Sequence, residues 1–509
     1  MADRLFTSSK ADEILSALRF DTKLEKVVLS RIAFALSIEK YGKNVPKSGN
    51  YSGGELKRTT FNGEDETFLR TIIHCVYGES DIGEDEFFSN RSIIKNHIDN
   101  GALLLEQMYM ECGRNPDSLF GSLAEKIGML NVDENLGRGF EILVGKKIND
   151  GTAEKVRLND TIHHANSHLA IMGKPGVGKT QLLLKILADI RIQSKFQTNF
   201  IYFDYKGDVV DNTRFIDVTK VQPYRLLQGS DSLPINPFIL GSYDDQSINI
   251  SAREKGESFS SINSRIGIVQ KGILTDAIRT AYMNRRTQAV PYPDFQEVFE
   301  IARSTYKNED KKDDSLIEVL KDLTNFDLFW KHGHGYPPID KLVDQSLLID
   351  LHALPVLKEL VAYLVIERLY KEMTLLPDSS IQEGKRAIRT VLVIDEAHNY
   401  LNQRNLFLQR IIREGRSKGI VVFFASQSPA DYLQDFFNFQ ELLEFVFLFQ
   451  CESVTASSVQ RILGCSYPTA KSLQSEIARL EPWQVVMRSS EKDEEYVKFI
   501  SEAFYKSYA

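Results

Sequence analysis

An α/β fold with a mostly parallel sheet is predicted for most of this 509-residue chain, with a helical region before it and a helical insertion within it. Three observations predict it. From His168 onward, short continuous apolar runs alternate with helical patterns, as expected for strands covered on both faces. A glycine-rich turn, GKPGVGKT, joins the first such run to the first helix. A later run, VLVI, ends in the acidic pair Asp395-Glu396.

Taken in order, residues 1 to about 125 read as helical. Apolar residues fall at helical spacing over 11–20, 24–38, 68–77 and 93–110, and KSGNYSGGEL forms a loop between the second and third of these. Residues 126–165 change to two strand candidates, EILVGKKI and EKVRL, separated by the turn signal NDG, and are expected to form a short β connector. Residues 166–509 carry the α/β core, with strands expected at 169–172, 200–203, 346–351, 391–394, 420–425, 445–449 and 484–487. The polar helical stretch 241–340, with the charged run NEDKKDD, is expected as an insertion between core strands.

Composition sets bounds on function. Hydrophobic residues make up 42% and charged residues 26%, the balance of a soluble globular protein. No apolar run is long enough to span a bilayer. The N-terminus is charged where an export signal needs an apolar stretch, so a cytoplasmic protein without membrane contact is expected. Cys75, Cys112, Cys451 and Cys465 lack paired spacing, which argues against zinc and against a disulfide framework. The net charge of −8 excludes a uniformly basic nucleic-acid binder, so any DNA contact must be a local patch or channel. Such a segregation exists: Lys23 to Arg58 is predominantly basic, whereas Glu64 to Glu86 is acidic. A solvated surface is the alternative reading of the same pattern.

The turn Gly173-Lys174-Pro175-Gly176-Val177-Gly178-Lys179-Thr180 fits G-x-x-x-x-G-K-[ST] between the apolar strand LAIM and the helix that Gln181 continues. Glycines let backbone N–H groups turn inward around phosphates, toward which the helix directs its positive end. Lys179 is suited to the β/γ-phosphates and the Thr180 hydroxyl to Mg²⁺. The cofactors expected are therefore ATP and Mg²⁺. Asp395 ends its strand at the carboxyl edge of the sheet and is placed to hold Mg²⁺; Glu396 is placed to polarise the attacking water. A helix cap with a first-turn acid is the bland alternative for that pair. Gln427 closes IVVFFASQ, and either senses the γ-phosphate or is a satisfied loop amide.

From about 140 onward these blocks resemble the HerA/FtsK superfamily of DNA-translocating ATPases, which implies a RecA-like P-loop core. The supports are the P-loop, FDYKGD at 203–208 (similar to D-x-K-G-E), NPF at 236–238, SLLIDLHALP at 346–355 and REGRSKGIVVFFASQSP at 413–429. Ser426 stands where the family usually has Thr and Ser428 where it has Arg. The resemblance implies a homo-oligomer, a hexamer, in which Arg416, with Arg413 second, reaches a neighbour's ATP. A surface arginine is the competing reading.

The stretches SRIAFALSIEKYGKNVP, TFNGEDETFLRTII and NHIDNGALLLEQ resemble DndE, a helical protein of bacterial DNA phosphorothioation systems. That implies affinity for double-stranded DNA, intact or nicked, with Lys40, Lys43, Lys47, Lys57 and Arg58 contacting phosphates. His163, His164, His168 and KHGHG at 331–335 lack metal-ligand surroundings and read as structural; Arg285 and Arg286 read as a solvated helix. The combined expectation is a DNA-stimulated ATPase motor in phosphorothioate modification or linked anti-phage restriction. Its rivals are a nucleotide-gated scaffold that recruits modification enzymes or a nuclease without translocating, and a packaging or conjugative motor.

Overall fold

A computed structural model describes residues 4–57, 60–61, 69, 72–73, 76–77, 91–112, 114–116, 119–120, 122–123, 139–227, 232–354, 357–452, 454–489 and 495–508. The chain divides into two units, Met1–Asn131 and Val132–Ala509.

The first unit contains β1 (Arg4–Phe6), α1 (Ser9–Thr22), α2 (Lys26–Tyr41), β2 (Glu55–Lys57) and α3 (Arg91–Glu111). Helix α1 starts where the Ser8 hydroxyl accepts from the Ala11 N–H, and ends at Lys23, whose φ of 62° turns the chain out of the helix. Its apolar face, Ile14, Leu15 and Leu18, joins Phe34 of α2 and Ile98, Ala102 and Leu105 of α3 in one core. A Cβ on Gly101 would lie 1.7 Å from the Ala33 carbonyl oxygen, so glycine is what lets the α2 and α3 backbones meet. Asp99 accepts from Ser8 N–H at 3.0 Å and from Lys95 at 2.6 Å, tying the start of α1 to α3. This unit is not wholly helical as expected: β1 and β2 pair antiparallel. Three-residue strands are too short for a period-two pattern to show in sequence. Arg58, Cys75, most of the helix expected at 68–77 and the acidic run at 64–86 lie outside the described residues.

The second unit opens with the hairpin strands β3 (Glu141–Lys147) and β4 (Ala153–Arg157), then β5 (Leu169–Met172), α4 (Lys179–Gln193), β6 (Asn199–Asp204), α5 (Thr213–Thr219) and β7 (Gln222–Arg225). Four helices follow: α6 (Asp245–Ile262), α7 (Ile268–Arg285), α8 (Phe295–Asn308) and α9 (Ser315–Asn325). Next come β8 (Leu347–Asp350), α10 (Lys358–Leu375), the small hairpin of β9 (Ile381–Gln382) and β10 (Lys385–Arg386), and β11 (Thr390–Ile394). The chain continues through α11 (His398–Leu401), α12 (Leu406–Glu414), β12 (Ile420–Ser426), a second small hairpin of β13 (Leu433–Gln434) and β14 (Phe437–Asn438), and β15 (Phe445–Leu448). It ends with α13 (Ala456–Leu463), α14 (Tyr467–Ile477), β16 (Gln484–Arg488), β17 (Tyr496–Ser501) and α15 (Phe504–Ser507).

One 11-stranded sheet organises this unit, in the order β4-β3-β17-β16-β15-β5-β12-β11-β6-β8-β7. Strands from β15 to β7 run parallel, and β16, β17, β3 and β4 extend them antiparallel. The stretch expected as a separate connector is thus an edge of the main sheet, because β3 pairs with β17 near the chain's end. Strands β17 and β7 were not expected: β17 is half solvent-facing, and β7 is an edge strand carrying Pro223, which its position tolerates.

Side-chain alternation sends Phe200, Tyr202, Val391, Val393, Val421 and Phe423 to the face covered by α4 and α5. Ile201, Phe203, Leu392, Ile394, Val422 and Phe424 face the other way, into a core that includes α10 and the four helices at 245–325. Asp244, Asp294 and Asp314 cap three of those helices, each cap contributing about 1 kcal/mol. Lys255 of α6 and Glu367 of α10, both fully buried, pair at 2.9 Å. No helix among the described residues is long and apolar enough to cross a membrane. Cys112, Cys451 and Cys465 are free thiols.

Candidate nucleotide site

Parallel strands deliver their carboxyl ends to one edge of the sheet, and the sequence-predicted residues gather there. Register places Met172 beside Ser426 and Leu448, and Ile394 beside Phe203 and Phe424. The loops that follow β5, β6, β11 and β12 therefore converge.

The loop after β5 is anchored at both flanks. Gly173 N–H donates to the Ser426 carbonyl at 3.2 Å and Lys174 N–H to the Gln450 carbonyl at 2.8 Å. Gly176 and Gly178 take φ of 81° and 111°, where a side chain is strained. Lys179 opens α4 with its ammonium folded back onto the Gly173 and Lys174 carbonyls, at 2.6 and 3.0 Å. Burial lowers its pKa, and the nearby Glu396 carboxylate opposes that shift. Thr180 and Gln181 follow in the first turn of the helix. The loop presents N–H groups and a mobile cation, a geometry suited to phosphates.

Asp395, 2% exposed, ends β11. It accepts from the Tyr202 hydroxyl at 3.2 Å and from the Glu396 N–H at 2.9 Å. Burial, together with the Glu396 charge beside it, pushes its pKa up to about 6. Its carboxylate and the Thr180 hydroxyl are hard oxygen donors of the kind that hold Mg²⁺, and they sit on loops of the same sheet edge, after strands that flank β12. The donor chemistry fits that ion.

Glu396 is buried and takes φ 48°, left-handed for a residue with a side chain. Backbone strain of this kind concentrates at functional sites. Its carboxylate is ion-paired with Lys206 and accepts from the Gln427 amide at 3.1 Å. His398 Nδ1 lies 3.3 Å away. Burial acts to raise the Glu396 pKa, but the hydrogen bonds from Lys206 and Gln427 outweigh it and hold the carboxyl below its ordinary value. Gln427 is thus engaged with the acid.

Lys206 is the residue that motif reading left without a role. It rides on the FDYKGD loop, built around the fully buried Asp204 carboxylate. That carboxylate accepts four backbone N–H groups, from Lys206, Gly207, Val209 and Val210, at 2.8 to 3.2 Å. The block itself was the available signal: an acid ending a strand, then lysine and a glycine at φ 79°.

Arg416 lies elsewhere. It sits in the turn Gly415–Lys418 before β12, near Arg386 and His168, at the amino end of the strand whose other end leads to Gln427. A seven-residue strand is roughly 20 Å long, so Arg416 does not join the site of its own chain. Arg413 is exposed, with its guanidinium 4.7 Å from the Phe437 ring centre.

The histidines before β5 make local contacts. His163 contacts Asp160 at 2.7 Å, His164 contacts Glu444 at 3.1 Å, and His168 accepts from Val422 N–H. Asp294, Glu297 and His332 cluster closely enough for a metal ion, but the first two form the capping box of α8 and Glu297 also pairs with Arg285. Arg285 and Arg286 are likewise tied by ion pairs, the latter to Asp245.

In the first unit, Lys40, Lys43, Lys47 and Lys57 are exposed, and none pairs with an acid among the described residues.

Residues 4–111 match the family described as DNA sulphur modification protein DndE. The solved DndE of Escherichia coli B7A is 18% identical, covering 21% of this chain and 98% of its own, with a TM-score of 0.17. VirB4 of Thermoanaerobacter pseudethanolicus is 16% identical over 73% of this chain and 99% of its own, with a TM-score of 0.56. The bacterial conjugative coupling protein TrwB is 12% identical over 72% and 94%, with a TM-score of 0.46. No curated protein matches this sequence. Residues 4–111 thus match the DndE family, and over 73% of the chain the fold is similar to that of VirB4.

Proposed function

We propose that this protein is an ATP-hydrolysing DNA motor whose first unit binds duplex DNA, acting in DNA phosphorothioate modification or the restriction linked to it. The observation that carries the reading is the convergence of Lys179, Asp395, Glu396 and Gln427 at one sheet edge, with Glu396 held by Lys206. In turnover, Lys179 exchanges its carbonyl partners for the β/γ-phosphates. Glu396 takes the proton of the water whose oxygen attacks the γ-phosphorus while the bond to the β–γ bridging oxygen breaks. Thr180 and Asp395 would hold Mg²⁺, which would neutralise charge on the phosphate oxygens. Gln427, hydrogen-bonded to Glu396, passes the state of the site to the loop after β12.

The DndE match supports a role on DNA, and the exposed lysines at 40, 43, 47 and 57 supply a sequence-independent phosphate surface. The remoteness of Arg416 from its own site favours action on a neighbouring subunit, hence a homo-oligomeric ring, and the resemblance to HerA/FtsK motors implies a hexamer. Partner proteins of the modification or nuclease type would share the DNA. The Lys206–Glu396 pair also favours a second reading, a nucleotide-gated scaffold whose base stays neutralised and which never translocates.

Paired variants test the nucleotide assignment. Lys179→Ala should lose ATP binding, whereas Glu396→Gln should bind ATP as the parent does and fail to turn it over. Normal turnover by Glu396→Gln removes it from the mechanism. For the trans arginine, mixing Arg416→Ala with Glu396→Gln chains should restore part of the activity, because some interfaces then carry an intact set. Mixtures no more active than either variant alone contradict it.

A further inference from the structure

Beside the phosphate loop stands an aromatic pair that the mechanism above does not use. Trp483, between α14 and β16, takes φ 74°, a left-handed conformation that a bulky side chain adopts only under constraint. The constraint is the loop itself. Trp483 N–H donates to the Val177 carbonyl at 2.9 Å, and Ser501 N–H donates to the Trp483 carbonyl at 2.8 Å. A Cβ on Gly178 would lie 2.6 Å from the Trp483 ring, so the indole rests directly on the last glycine of the loop. Tyr505, on α15, stands against it with ring centres 6.1 Å apart and is 52% exposed. Its N–H donates to the Gln181 side chain at 3.2 Å. Lys506 places its ammonium 5.8 Å from both ring centres.

The position of this corner defines its ligand. Within a P-loop the lysine serves the β/γ-phosphates and the backbone N–H groups serve the α/β-phosphates. Sugar and base therefore leave the loop past the start of the helix, beyond Thr180. Gln181 is the next residue, and Tyr505 is bonded to it.

We propose that Trp483 and Tyr505 form the nucleobase platform of this site, with Tyr505 the face on which the base stacks and Lys506 the cation at its rim. The proposal rests on the reading of the loop as a nucleotide site and adds which part of the nucleotide the chain's last residues hold. Stacking uses a π-face that every base has, so the platform favours a base over none and discriminates little between adenine and guanine. A loop–indole contact at Gly178 also ties the C-terminal strands β16 and β17 to nucleotide occupancy.

The test uses the full chain and two probes, ADP and inorganic tripolyphosphate, titrated by calorimetry in the presence of Mg²⁺. Tyr505→Ala should weaken ADP about tenfold and leave tripolyphosphate unchanged; Tyr505→Phe should keep the parent's ADP affinity. GDP should bind within about threefold of ADP. ADP should quench tryptophan emission in the parent and tripolyphosphate should not, with Trp330→Phe isolating the Trp483 signal. Equal loss of both probes in Tyr505→Ala, or loss of neither, overturns the platform while leaving the phosphate site standing. Binding of neither probe by the parent overturns the phosphate-site reading and the platform with it.

Discussion

Lys206 and Glu396 form an ion pair across two loops at the carboxyl edge of the sheet, with Glu396 buried and Lys206 at 40% side-chain exposure. The pair explains how a carboxylate stays charged where burial opposes it, and it fixes the direction in which the base points. Lys206→Met should therefore lower kcat at least tenfold while ADP affinity stays within about twofold, since Lys206 contacts the base and not the phosphate loop. Steady-state kinetics beside calorimetry checks this, and a loss of ADP binding equal to the loss of kcat contradicts it.

Asp204 acts one step further back. Its carboxylate gathers four N–H groups that have no other partner at that turn, so it builds the loop that carries Lys206. Asp204→Ala should cost the larger unit about 3 kcal/mol, because buried N–H donors lose a charged acceptor. It should also reproduce the kinetic defect of Lys206→Met. Urea denaturation of both variants separates the two effects: Lys206→Met, at a half-exposed position, should shift the midpoint much less.

His168 supplies a pH signature of folding. Burial holds its pKa down at about 4, with Arg416 acting the same way, and its Nδ1 accepts from Val422 N–H. The unfolded chain binds that proton near the ordinary value of about 6.5. The contribution to stability is thus complete above about pH 6.5 and lost as pH falls toward 4, about 3 kcal/mol in all. His168→Asn, which keeps an acceptor but does not titrate, should be less stable at pH 7.5 and show a flatter decline between pH 6.5 and 4. An unchanged slope contradicts the assignment.

Charge neutralisation in the first unit should act on DNA affinity without sequence preference. Replacing Lys40, Lys43, Lys47, Lys57 and Arg58 together by Gln should weaken duplex binding and reduce the salt slope of log K by up to roughly 4. Fluorescence anisotropy across a salt series measures both. An unaltered slope places the DNA surface elsewhere.

The core was legible because its strands are short apolar runs punctuated by motif loops. Covered on both faces, β5, β6, β11, β12 and β15 leave a strong local signal, and the P-loop and Asp395-Glu396 sit at their ends. What sequence did not carry were long-range pairings. That β3 joins β17, more than three hundred residues later, follows from register and not from any local pattern. The hydrogen bond between Gln427 and Glu396 and the Lys206 pair are likewise contacts between loops separated in the chain, which no spacing rule encodes. Trp483 gave no signal because a lone tryptophan after a Glu-Pro step reads as packing; only its seat on Gly178 sets it apart.

The central claim is that the site at the sheet edge hydrolyses ATP in a manner coupled to DNA. The most direct test is ATP hydrolysis by size-fractionated full-length protein, alone and with intact or nicked duplex, beside Glu396→Gln. A ring-sized species stimulated several-fold by duplex DNA, and silent in the variant, is the predicted result. Hydrolysis by a monomer that is indifferent to DNA would contradict it.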